Sequence, residues 1–309
     1  MNACARISNP CHTEARTIMA KRLLLIILLP TLSFAYTPAA QFLCLPYSAI
    51  GHILEEPSSA TPSIDGFVYN PASLPTEHGF CGKISYMRYF QKIDQYSFLA
   101  SYNFGRFRVG LSFKSLNISD IEKRDTPTSE PDFVFSTHHL AAGLHTSYEI
   151  LNHISIGGAI VRTYEDIDYY ENEATLYNLG LLVHIKDAGA SASVTNLGNV
   201  NQVRAKAYNG PLTYQGSIYY VLPMDLMNGR LALHLSFVKP DYTKYSIKFG
   251  AAFSYSFATF IACYKTGIDS KGFSIGFGLR KGLWNFNYAF TPYKNSLGSA
   301  HQISLGLSR

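Results

Sequence analysis

Large and small side chains alternate along most of this chain. In KYSIKFGAAFSY, Tyr245, Ile247, Phe249, Ala251, Phe253 and Tyr255 fall on one face, and Ser246, Lys248, Gly250, Ala252 and Ser254 on the other. GRLALHLSF sets Leu231, Leu233, Leu235 and Phe237 against Arg230, Ala232, His234 and Ser236, and LWNFNYAF sets Trp284, Phe286, Tyr288 and Phe290 against Asn285, Asn287 and Ala289. Successive strand residues point to opposite faces, so each segment reads as a strand with one greasy and one small or polar face.

The pattern predicts about 14 strands. They fall near 83–90, 96–104, 107–116, 140–149, 153–163, 175–185, 189–196, 212–222, 229–238, 244–255, 258–266, 272–281, 283–291 and 300–308. Their connections alternate between longer and shorter, and the third, NISDIEKRDTPTSEPDFVFSTHH, is the longest. Long loops at one end and tight turns at the other suit an even-stranded transmembrane antiparallel up-and-down β-barrel, all-β in class, with loops outside and turns in the periplasm. Both termini are then expected on the periplasmic side. Tyr86, Tyr89, Phe104, Phe107, Trp284 and Tyr293 sit near strand ends, where interfacial aromatic girdles belong.

Composition sharpens this picture. Only 15% of the 309 residues are charged and 14% are aromatic, against about 25% charged in soluble proteins. No apolar run approaches the ~20 residues of a spanning helix, so a membrane protein of this kind has to be a closed barrel, where every backbone group finds a partner. The one strong apolar run, KRLLLIILL at Lys21–Leu29, follows a basic pair and precedes Ser33-Phe34-Ala35, the pattern of an export signal. Residues 1–35 therefore read as leader and signal peptide, with translation starting at Met19. Residues 36–82 read as an N-terminal hatch or plug segment, and 83–309 as the barrel.

Candidate chemistry is sparse. The net charge of +5 is spread along the chain, which does not favour nucleic acid. Cys4 and Cys11 fall in the leader. Cys44, Cys81 and Cys263 have no metal-ligand spacing; they read as small buried thiols, or Cys44 pairs with Cys81. Adjacent His138 and His139 point to opposite faces and make no metal site. Asp168, Glu171 and Glu173 read as a solvated external loop or a Ca²⁺ loop. A lipid hydrolase would need a Ser–His pair; His301 shares the lipid-facing parity of Ile303 while Ser304 points inward. The chain thus reads as a non-enzyme without cofactor or metal. With the large residues facing lipid, Arg108, Ser112, Lys114, His184, His234, Lys248, Asn285, Asn287, Gln302 and Ser304 are the lumen candidates. They either line a substrate route or bond one another and a plug.

In FVYNPASLP, Asn70 can cap a turn, Pro71 suits its first position, and Ala72-Ser73-Leu74 complete it. Pro75 stops it. Asn70, Pro71 and Ala72 are the hatch or gate candidates.

Several elements resemble the PorV/PorQ family of outer-membrane barrels, which is related to the long-chain fatty-acid transporters. They are DGFVYNPASL at Asp65–Leu74, VTNLG at Val194–Gly198, Lys239-Pro240, Tyr264-Lys265, NYAF at Asn287–Phe290, and Leu297-Gly298 ahead of HQISL. The resemblance implies an outer-membrane barrel in contact with outer-membrane lipid, acting as a channel for hydrophobic small molecules. It implies alternatively a shuttle or attachment component of type IX-like secretion, with secreted proteins or secretion components as partners.

Overall fold

The polar and apolar faces close into a ring. The computed structural model describes residues 38–90, 93–124, 126–167, 170–202, 208–223, 228–267 and 270–308. The leader with Met19, the export signal and Asp168 lie outside the described residues.

Among the described residues, sixteen strands form one antiparallel sheet. The first seven are β1 (Gly79–Arg88), β2 (Ile93–Asn103), β3 (Phe107–Lys123), β4 (Phe133–Leu151), β5 (Ile154–Ile167), β6 (Tyr170–Ile185) and β7 (Ala188–Leu197). Two short strands follow, β8 (Asn199–Gln202) and β9 (Tyr208–Asn209). The remainder are β10 (Thr213–Val221), β11 (Arg230–Pro240), β12 (Ser246–Tyr255), β13 (Ala258–Lys265), β14 (Phe273–Lys281), β15 (Trp284–Pro292) and β16 (Ser299–Ser308). Fourteen of them run up and down around the ring, which β1 and β16 close from Cys81↔Ser308 to Arg88↔His301. The pair β8–β9 stays outside the ring and attaches to the end of β6.

All fourteen expected strands are present, and the differences lie at their ends. The long third connection shrinks to 124–132, because β3 and β4 continue as a two-stranded ribbon with Ile121↔Phe135, Glu122↔Val134 and Lys123↔Phe133 in register. Likewise the acidic stretch expected as a loop is strand, with Asp166↔Glu171 and Tyr164↔Glu173 paired. Alternation fails as a signal in the β3–β4 ribbon because neither of its faces is buried, so nothing selects apolar residues at every second position.

Around the ring the usual globular arrangement is inverted. Ile84, Leu111, Phe249 and Phe260 are at least half exposed on the outer face, while Ser97, Ser112, Lys114, Lys248, Gln302 and Ser304 are buried inside. That is the arrangement of a wall made for hydrocarbon. No described helix is long and apolar enough to cross a membrane.

The lumen is filled by the chain's own residues 38–78. This segment contains a 3-10 turn at Gln41–Cys44, one short helix α1 (Ala49–Leu54), and 3-10 turns at Glu56–Ala60 and Pro71–Ser73. It starts at the loop end, where Ala39 N donates to Asn209 O of β9 at 3.2 Å, and descends to the turn end to become β1. The C-terminal strand ends at the turn end, where Ser308 N donates to Leu283 O. The first described residues and the C-terminal strand end therefore lie at opposite ends of the barrel. The expectation that both chain ends lie on one side turns on an N-terminus outside the described residues; from residue 38 the segment traverses the lumen before the first strand.

Among the described residues, four apolar contacts seat the plug, one of them Ala39 and Leu43 against Ala174 and Leu176. Ala49, Ile53 and Leu54 of α1 pack on Ile261, Cys263 and Ala289. Ala40 and Phe42 pack on Leu116, Ala141 and Val161, and Tyr47, Phe67 and Leu74 pack with Leu99. No disulfide joins Cys44 to Cys81. Cys44 lies 3.5 Å from the Tyr242 hydroxyl near the loop end, whereas Cys81 is on β1 near the turn end.

Candidate functional site: the lumen and its plug

The turn at Asn70-Pro71-Ala72 is the tightest meeting of plug and wall. Asn70 takes extended φ/ψ and its Oδ1 accepts from Ala72 N at 2.9 Å, closing the cap. Its amide nitrogen donates to Leu181 O on β6 at 3.0 Å. Ser147 on β4 donates to Ala72 O. The wall is thinned here by glycine: a Cβ at Gly180 would overlap Asn70 Oδ1, and one at Gly157 would overlap the Pro71–Ala72 peptide. Glycine at these two positions lets the plug backbone lie against the sheet.

A charged cluster sits on the other side of the lumen. Glu55 caps α1 with φ 54° and ψ −128°, a conformation that costs a non-glycine residue energy and persists only where surroundings impose it. Three lysines impose it. Lys248 of β12 reaches Glu55 Oε2 at 2.5 Å, while Lys265 of β13 and Lys271 of the following loop reach Oε1 at 2.8 and 2.5 Å. Lys248 also pairs with Glu56, and Lys265 donates to His52 O at 3.2 Å. Burial alone would raise the Glu55 carboxyl, but the three ammonium groups hold it well below the usual carboxylate range. Burial, with Lys265 and Lys271 close by, drives the His52 imidazole down to about 3, so the ring is neutral. Burial raises the Tyr69 hydroxyl, and the nearby Glu55 and Glu56 raise it further.

A second ion pair lies nearer the turn end. Lys83 of β1 contacts both Asp65 oxygens at 2.7 and 2.8 Å, and Ser48, the N-cap of α1, donates to the same carboxylate. Elsewhere the wall donates to plug carbonyls: Gln95 to Pro46 O, Ser97 to Tyr47 O, Ser193 and Gln215 to Tyr69 O, and Ser217 to Glu56 O. An irregular buried backbone would otherwise carry unsatisfied carbonyls, each a substantial penalty.

The residues singled out by parity divide into three groups. Lys114, Lys248, His234, Gln302 and Ser304 meet the plug. Lys114 donates to the carbonyls of Phe42, Leu43 and Leu45 and stands 3.8 Å over the Tyr47 ring. His234 Nδ1 lies 3.2 Å from Pro57 O, Ser304 accepts from Ala49 N, and Gln302, with its amide nitrogen turned to the plug, donates to His52 Nδ1 and Ser48 O. Arg108 and Ser112 are buried but bond other wall residues, Arg108 to Ser155 and Glu149, Ser112 to His145. His184, Asn285 and Asn287 face a cavity of about 560 Å³ beneath the plug at the turn end.

Sequence reasoning missed Glu55, Glu56, Asp65, Lys83, Lys265 and Lys271. A usable signal existed: inward lysines on several strands require carboxylates, and residues 38–78 offer only Glu55, Glu56, Asp65 and Glu77. Among the described residues no cluster of metal-ligating side chains occurs. On the outer face Tyr288 and Ser299 occupy the two ring nitrogens of His301 at 2.8 and 3.0 Å, and Ser304 points inward to Ser85.

No protein-family model matches the chain, and no curated protein does. Solved structures with the same fold exist at low sequence identity. The toluene transporter TbuX of Ralstonia pickettii is 10% identical with a TM-score of 0.60, covering 86% of this chain and 98% of that one. The P. putida toluene transporter TodX is 11% identical with a TM-score of 0.59, covering 86% and 99%. A TodX deltaS2S3 mutant, described as a monoaromatic hydrocarbon channel, gives 10% identity and a TM-score of 0.57 over 84% and 97%.

Proposed function

We propose that this chain is an outer-membrane channel that admits hydrophobic small molecules, with residues 38–78 as its gate. One observation carries the reading: a ring with an apolar outer wall has its polar lumen closed by the chain's own segment, held by side chains from nearly every strand. The outer wall suits a bilayer, and a plug attached through hydrogen bonds and ion pairs can be released and reseated without unfolding the wall. The shared fold with two toluene transporters supports the same reading. Asn70, Pro71 and Ala72 are the fulcrum of the gate, and the Glu55 cluster is its clasp. The loops face outward and the C-terminal strand ends in the periplasm.

The test is uptake by Gram-negative cells with an intact outer membrane. Cells producing the protein take up a radiolabelled monoaromatic or long-chain compound faster than vector-only cells. Equal rates over a broad panel of such compounds contradict the reading.

A second reading, attachment of secreted proteins, draws on the ribbon of β3 and β4. It ends the wall in exposed Phe133 and Val134. Co-purification of secreted cargo that is lost when the ribbon is removed would favour this reading over the channel.

A further inference from the structure

We propose that the channel selects a single-ring aromatic molecule carrying one hydroxyl group, a phenol, and that His145 recognises the hydroxyl. This rests on the channel reading and adds the class of substrate.

The site is a cavity of about 70 Å³ between the plug and strands β3 to β7 and β10. Leu43, Tyr47 and Val68 of the plug and Val161 of β5 give it apolar sides. Cys44, exposed beside Tyr242 near the loop end, borders it, so a molecule arriving from the loops meets this space early. One buried water needs roughly 10–15 Å³ of such space, so the cavity has room for about five waters, the bulk of one benzene ring with one polar atom.

The polar groups around the cavity are engaged, with one exception. Asn178 Oδ1 accepts from Asn196 N at 2.7 Å, and the Gln215 amide nitrogen donates to Tyr69 O and Ser193 Oγ. Thr213 donates to Pro211 O at 3.0 Å, and the Tyr69 hydroxyl donates to Gly51 O at 3.1 Å. His145 on β4 is 1% exposed. Its Nε2 pairs with Ser112 Oγ at 2.9 Å, but its Nδ1 has no hydrogen-bond partner among the described residues. Phe67 of the plug crosses the imidazole at 78° with ring centroids 4.8 Å apart, which fixes the ring in place.

In a neutral imidazole one nitrogen donates and the other accepts, and the Ser112 hydroxyl can serve either, so Nδ1 can match a hydroxyl in either sense. A bare hydrocarbon in this space strands a buried polar atom, whereas a phenolic hydroxyl completes it. The difference corresponds to roughly tenfold or more in affinity. A carboxylate would meet Glu56, which also borders the cavity, and like charges repel there. One open polar atom in an otherwise apolar space therefore fits one hydroxyl on one ring.

Purified protein in detergent is titrated calorimetrically with p-cresol and with p-xylene, near-isosteres that differ by a hydroxyl in place of a methyl group. Wild type should bind p-cresol roughly tenfold or more tightly. His145→Leu, shown to be a folded barrel by its heat-modifiable gel mobility, should bind the two compounds alike. Equal affinities in wild type, binding of neither compound, or a preference that survives in folded His145→Leu overturns the proposal. The wild-type ratio needs no variant to fold. The position of the site is tested with Val161→Phe, which narrows the cavity from β5, against Ile160→Phe on the exposed outer face. Folded Val161→Phe should lose p-cresol binding and Ile160→Phe should keep it; retention by both overturns the site. In whole cells producing wild type, uptake of p-xylene as fast as p-cresol overturns the selectivity and leaves the channel reading intact. Uptake at the vector-only rate over the whole panel removes the channel reading itself.

Discussion

Lys248 Nζ lies 2.5 Å from Glu55 Oε2, and this contact joins barrel strand β12 to a plug residue with left-handed φ. It explains why a short irregular segment stays put inside a wide ring. The carboxylate also receives Lys265 and Lys271, so one side chain gathers two strands and a loop. Removing one member of a buried pair typically costs about 3–5 kcal/mol, because the partner charge is stranded. Glu55→Gln should therefore release the plug from an otherwise intact barrel. Limited proteolysis within residues 38–78 and single-channel conductance are the measurements: the variant should be cut faster and should open, whereas wild type should stay protected and closed.

Asn70 secures the second anchor. Asn70→Ala removes a cap and the bond to Leu181 O, together worth about 1–2 kcal/mol of plug docking. Gly180→Ala should act more strongly, because the added methyl overlaps Asn70 itself. Both should raise plug proteolysis while the barrel keeps its heat-modifiable mobility. A Gly180→Ala protein with wild-type protection would show that the turn does not seat where described.

Acidity should loosen the plug. His52 titrates at about 3 when docked against an ordinary 6.5, so a released plug binds a proton that the docked one refuses. Docking is therefore complete above pH 6.5 and weakens as pH falls below it. Glu55 acts in the same direction below its ordinary 4.5, since its docked carboxyl stays ionised. Conductance of the reconstituted protein should rise between pH 7 and pH 4, and His52→Gln should remove the upper part of that rise.

The β3–β4 ribbon is dispensable for transport under the channel reading. Replacing residues 119–132 with a short turn leaves the ladder from Phe107↔Tyr148 to Ile118↔Thr137 untouched. Barrel assembly and uptake should be unchanged. Loss of uptake in this variant would give the ribbon a direct part in substrate capture.

How much of this could be read from residues alone follows from where a buried face exists. Tyr245 to Tyr255 alternate because lipid and lumen select different side chains, so strand number and parity were legible there. In Asp120–Lys123 neither face is selected, and the strand was read as loop. Asn70 and Pro71 announced their turn through local cap chemistry. Glu55 and Asp65 did not announce their lysines, since Lys248 and Lys83 are far away in sequence and only ring closure brings them together. The loop-end position of Ala39 was equally hidden, because no local pattern encodes the direction in which a plug threads a lumen.

The central claim is that the plug must move for substrate to pass. Ser59 Oγ of the plug lies 3.0 Å from Ser191 Oγ of β7, close enough for a cysteine pair to form a disulfide. In whole cells, Ser59→Cys/Ser191→Cys should take up a labelled hydrophobic compound at the wild-type rate when reduced and at the vector-only rate when oxidised. Equal, wild-type uptake in both states, with the crosslink verified by mass spectrometry, would contradict the account.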